Sequence, residues 1–111
     1  MKNFIQTGDV VPVMAPAGGV VSGNGVIIGS LFGVADHSAA EGAPVQLATR
    51  GVFDLPKTSA QAWTLGAKVY WDAGNGVATT TASGNSLIGV ALAAAANPSA
   101  VGRVRLNGVA V

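Results

Sequence analysis

Residues 69–77 read VYWDAGNGV. Together with Lys68 before it, the stretch alternates Lys68, Tyr70 and Asp72 with Val69 and Trp71, the period of two that places successive side chains on opposite faces of a strand. Gly74, Asn75 and Gly76 then supply residues that accept positive φ, and Val77 to Thr81 resumes a β-prone run. The stretch reads as a hairpin. In it Trp71 belongs to the core or to a subunit contact, and Asp72 is placed to bind backbone amides of the turn that follows it.

The same pattern extends outward in both directions. Sixteen glycines, spread almost evenly, cut the chain into apolar or alternating runs of a few residues. The runs expected as strands are 4–6, 10–14, 19–22, 26–28, 31–35, 45–48, 51–55, 68–71, 77–81, 87–93 and 103–106. This predicts an all-β fold: one domain over residues 1–111, a β-sandwich or jelly roll or a small β-barrel of short strands with little helix, and residues 1–8 as an N-terminal arm. The one helical expectation is a short turn over Ser59 to Leu65, with Ser59 available as its N-cap. The alanine-rich 92–96 is expected to continue the preceding strand and to break before Asn97-Pro98. A weak internal repeat sets Ser22-Gly23-Asn24, its following strand and Gly42 to Leu47 against Ser83-Gly84-Asn85, its following strand and Gly102 to Leu106.

Charge is the most informative part of the composition. Asp, Glu, Lys and Arg make up 10% of the 111 residues, against roughly 25% in an average soluble domain. A chain so poor in charge is expected to hide part of its surface against partner chains. With a formal net charge of +1 and scattered basic residues, nucleic-acid binding has no electrostatic footprint; Arg103 and Arg105 read as the solvent face of a strand. No apolar run reaches the length of a membrane span, and Gln6, Thr7 and Asp9 interrupt what would be a signal peptide, so the reading is of a protein made without export. There is no cysteine, which removes disulfides, thiolate metal sites and cysteine nucleophiles.

Catalytic constellations fare poorly. His37, the one histidine, sits in VADHSAAEG beside Asp36, Ser38 and Glu41, but triads draw their members from separate segments that converge in space. No nucleophile elbow, Walker motif or dinucleotide fingerprint occurs. Five acids are thin material for paired carboxylates or a calcium site. No catalytic, cofactor-binding or metal residue is assigned, and no enzyme is expected.

From residue 51 the chain reads GVFDLPK, then LGAKVYWDAGNGVATT, GNSLIGVALAAA and VGRVRLNG. In order and spacing these segments resemble the small decoration, or cement, proteins of tailed-phage heads; SGNGVIIGSLFGVA and 42–47 extend the resemblance more loosely into the first half. The resemblance implies a β-rich jelly-roll or barrel fold and a non-enzymatic virion protein. Such a protein is made in the host bacterial cytoplasm, binds the outer surface of the capsid and clamps neighbouring subunits. Its partners would be the major capsid protein of an assembled head and further copies of itself, with a trimer preferred over a dimer, and neither nucleic acid nor membrane. The family carries no catalytic motif to transfer. Phe4 and Ile5 of the arm, Trp63 as an exposed aromatic, and Trp71 are the expected partner contacts. The competing reading is a carbohydrate-binding or adhesion module with Trp71, Trp63 or Tyr70 as its platform; a small hydrolase dependent on His37 is the distant third.

Overall fold

The computed structural model describes residue 3 and residues 5–111. The described residues form nine strands and no helix: β1 (Val10–Met14), β2 (Gly25–Ile28), β3 (Leu31–Ala35), β4 (Pro44–Ala48), β5 (Arg50–Pro56), β6 (Lys68–Asp72), β7 (Val77–Thr79), β8 (Ser86–Ala91) and β9 (Val101–Asn107). They make two antiparallel sheets, ordered β1-β4-β3-β2 and β5-β9-β8-β6-β7. The all-β expectation holds. The expected run at 19–22 is reduced to a single bridge between Val20 and Ala39, and of the run at 4–6 the described residues 5 and 6 lie outside any strand.

The VYWDAGNGV hairpin forms as read. Tyr70, Trp71 and Asp72 pair with Thr79, Ala78 and Val77. The Asp72 carboxylate accepts from the backbone amides of Gly74 and Asn75 at 3.1 and 3.2 Å and from the Asn75 side-chain amide at 2.8 Å. Of the three turn residues only Gly76 takes positive φ, at +65°, the left-handed conformation that glycine adopts at no steric cost.

Two further sequence expectations fail, and for the same reason. Residues 59–65 are not helical: Trp63 exchanges backbone hydrogen bonds with Ala95, N to O at 2.8 and 3.1 Å in the two directions. Strand β8 stops at Ala91 because the alanine run turns away to make that bridge. Both segments meet a partner about thirty residues distant in sequence, and that pairing replaces the local hydrogen bonds a helix or a longer strand would have used.

The internal repeat is real in topology, with a different alignment from the one the turns suggested. One row across the first sheet runs Val10, Ala48, Val34, Gly25. Its counterpart across the second runs Val52, Arg105, Val90, Lys68. The isolated bridges correspond as well, Val20 to Ala39 in one half and Trp63 to Ala95 in the other. Thus β1, β2, β3 and β4 answer to β5, β6, β8 and β9, and Phe32-Gly33-Val34-Ala35 answers to Ile88-Gly89-Val90-Ala91. The Ser-Gly-Asn turns stand before β2 and β8, which are not equivalent. Each half is a four-strand Greek key with its first strand beside its last; the second half carries β7 in addition. Strand β7 also closes its sheet onto β5 through a parallel bridge between Ala78 and Lys57.

Alternation decides the core. Phe53 and Leu55, Val104 and Leu106, and Val69 and Trp71 point inward, with Leu55, Val69 and Val104 wholly buried. A bulge in β8 opposite Val69 and Tyr70 lets Ile88 join them. Phe32, Val34 and Ile27 from the first sheet pack into this cluster, and the Phe32 and Trp71 rings lie 5.3 Å apart, so the two sheets share a core. The opposite face of the first sheet gathers a smaller cluster around Leu47, Val45 and Val26.

Candidate interaction surface

The residues expected to meet partners are placed very differently. Ile5 is 86% exposed; Phe4 lies outside the described residues. Trp63, expected as an exposed aromatic, is 2% exposed and its indole N–H points to Gln61 Oε1 at 3.4 Å. Trp71 is 4% exposed. The physical reason is the same for both: an indole in a small β domain is the largest apolar group available to fill the core. Neither ring offers a face on which a sugar could stack, and of the platform residues considered only Tyr70, half-buried on the outer face of β6, is left.

His37 and its neighbours form an exposed loop. The Ser38 hydroxyl accepts from the Ser22 backbone amide at 2.9 Å, and His37 Nδ1 lies 3.2 Å from the Ser38 carbonyl oxygen. The hydroxyl is thus held by the neighbouring turn rather than by the imidazole, so the loop contains no paired nucleophile and base. Among the described residues no group of three or more His, Asp or Glu converges as metal ligands do. Asp72 is held below the ordinary carboxylate value of 3.8, first by the Asn75 side-chain amide and then by backbone amides of the turn; the cause is structural. Arg103 and Arg105 lie on the exposed face of β9, as expected, with Arg103 bonded to Asp54 at 3.0 Å; that carboxylate raises the arginine's pKa further.

The sequence reading missed Lys57. It is 3% exposed, and its ammonium donates to the carbonyl oxygens of Thr58, Ser59 and Ser99 at 2.9, 3.4 and 3.3 Å. The same ammonium sits 5.8 Å from the centre of the Trp63 ring, within cation–π range. The lysine that ends the GVFDLPK segment therefore ties the β5–β6 connection to the β8–β9 connection; it is not a surface contact.

Two surface features remain. The first is a sheet face. Val10, Pro12 and Met14 alternate outward from β1, opposite Ala48, Gln46 and Pro44 of β4. None of the six is charged; Met14 is 65% exposed and Val10 47%. The exposed pair Asp9 and Arg50, 3.8 Å apart, lies at one end of it. The second is a groove of about 340 Å³ along the outer edge of β2, lined by Ala17, Val20, Val21, Gly25 and Ile27 together with Trp71.

No curated protein and no solved structure matches the chain. A family model does: that of the phage cement protein matches residues 5–106, a span that takes in β1 to β8 and all of β9 but its last residue. With the match running through both halves of the repeat and the GVFDLPK, VYWD and VRL segments at the strands just described, the chain belongs to the phage cement protein family.

Proposed function

We propose that this protein sits on the outer surface of an assembled phage head and holds neighbouring subunits of the major capsid protein together, as a homo-oligomer placed on a capsid symmetry axis. Family membership supports a structural, capsid-associated and non-enzymatic role. The finer reading is carried by the uncharged face of β1 and β4. An exposed sheet face of Val10, Pro12, Met14, Pro44, Gln46 and Ala48 is costly for a free protein and stabilising when a partner covers it. The flanking Asp9 and Arg50 supply the polar rim that such contacts usually have. Repetition over a shell multiplies weak contacts, so each needs to be only modest. A trimer, preferred over a dimer, would match a three-fold position on the shell.

The test uses undecorated heads and the full chain. The wild type is expected to sediment with heads and to raise their melting temperature. Met14→Glu, on a side chain that touches little of its own protomer, is expected to weaken head binding by roughly tenfold or more, the cost of burying an unpaired charge, with an unchanged circular dichroism melt. Undiminished binding by Met14→Glu would remove this face from the contact; a wild type that ignores heads would overturn the reading.

A further inference from the structure

We infer that the outer edge of β2 accepts, as an added strand, the N-terminal arm of a second copy of this chain. This deepens the self-association part of the reading above and rests on it.

The argument starts from the repeat. In the second half the strand answering to β2 is β6, and its outer edge is paired with β7. In the first half no strand of the described residues takes that place: β2 ends its sheet. The alternation of hydrogen bonds shows what is left over. Ala35 donates to the Asn24 carbonyl oxygen at 3.0 Å, so residues 24, 26 and 28 bond inward to β3 and the N–H and C=O groups of Gly25 and Ile27 face outward. Among the described residues neither has a backbone partner beyond β3.

The other sheet edges are guarded. Strand β1 carries Pro12, which lacks a donor, and β5 and β7 close on each other through Lys57 and Ala78. Strand β2 is Gly-Val-Ile-Ile, without proline or charge, the composition that invites strand addition. The groove lies on this edge: its lining includes 24–27 and no residue of β3. Its volume is in the range that takes a small ligand or a few residues of extended chain.

The arm is the matching piece. Residues 5–8, Ile-Gln-Thr-Gly, are exposed, and 5–7 make no backbone hydrogen bond among the described residues. Neither the groove nor these four residues carry a charge, so pairing them strands none. Four residues, about 13 Å extended, equal the length of β2. Residues 5–8 cannot fill the groove of their own chain. Val10 and Gly25 stand at opposite ends of one row across the sheet, three strand spacings or about 14 Å apart, and these four residues, about 13 Å extended, would be used up in crossing. The donor is therefore a neighbour. An arm on one edge and an acceptor on the other is a head-to-tail contact, which makes a ring when its rotation closes, as a capsid symmetry axis would require.

Two full-chain variants test it by light scattering across concentration: Gln6→Pro with Thr7→Pro, which removes arm donors, and Ala17→Glu, which places a charge in the groove. Circular dichroism melts confirm that each still folds. Wild type is expected to be a closed oligomer, and each variant monomeric at concentrations where wild type is assembled, an affinity loss of about tenfold or more. Mixed together, the two variants retain one good arm and one good groove, and are expected to give a two-chain species and nothing larger. A monomeric wild type, oligomers that survive either variant, or a mixture that gives no two-chain species would overturn the inference. Head binding by the same proteins separates the two readings: a wild type that binds heads as a monomer sinks this one alone, whereas one that oligomerises through the arm and ignores heads sinks the capsid reading alone.

Discussion

Lys57 is 3% exposed, and among the described residues no carboxylate is bonded to it. Lys57 survives burial because three carbonyl oxygens and the face of Trp63 replace its water, as a desolvated cation requires. Lys57→Met keeps the stem and deletes the head, leaving the Thr58, Ser59 and Ser99 carbonyls without that donor. Charged hydrogen bonds and a sheltered cation–π contact together imply a loss of about 2–4 kcal/mol in chemical denaturation; a loss under about 0.5 kcal/mol would show that water serves those carbonyls equally well. Nothing in the sequence marked this residue for the interior. Pro56-Lys57 reads as a strand stop, and a lysine there is ordinarily solvated. Trp63 was misplaced for a related reason: its burial depends on the bridge to Ala95, which no local pattern announces. By contrast, Asp72 was legible, because its partners, Gly74 and Asn75, lie two and three residues further on.

At the scale of elements the duplication explains one pair of glycines that turns do not. Gly33 of β3 and Gly89 of β8 hold equivalent places, and a Cβ on either would collide with the fourth strand of its own half, at Leu47 in one case and at the Arg105 carbonyl oxygen in the other. The obstacle at Gly89 is backbone, which cannot rotate aside. Gly89→Ala is expected to cost about 3 kcal/mol, the upper end of overpacking, while Gly74→Ala in the open turn stays within about 0.5 kcal/mol; comparable urea midpoints for the two variants would refute the close approach. Strand positions were readable because glycine bounds them and alternation fills them, as 10–14, 31–35 and 68–71 show. Strand partners were not. That β1 lies beside β4, and that β7 is an addition without counterpart in the first half, is set by contacts between residues far apart in sequence, and the repeated Ser-Gly-Asn turns pointed to the wrong alignment.

The whole molecule carries eleven formally charged side chains, six basic and five acidic, and both proposed interaction surfaces are free of them. The β1–β4 face and the β2 groove are lined by apolar, amide and backbone groups, so their association should be driven by burial and strand pairing rather than by charge. Salt distinguishes these cases. Between about 0.1 M and about 1 M NaCl the screening length falls from roughly 10 Å to roughly 3 Å, enough to suppress most attraction between exposed charges. Burial of apolar area is not weakened by that change. The self-association constant from light scattering is therefore expected to move by less than about threefold over this range, or to tighten slightly. A weakening of tenfold or more would mean that rim pairs such as Asp9–Arg50 or Asp54–Arg103 hold the contact, and would shift the interface from the β2 edge to the outer faces of β5 and β9, where the second of those pairs lies.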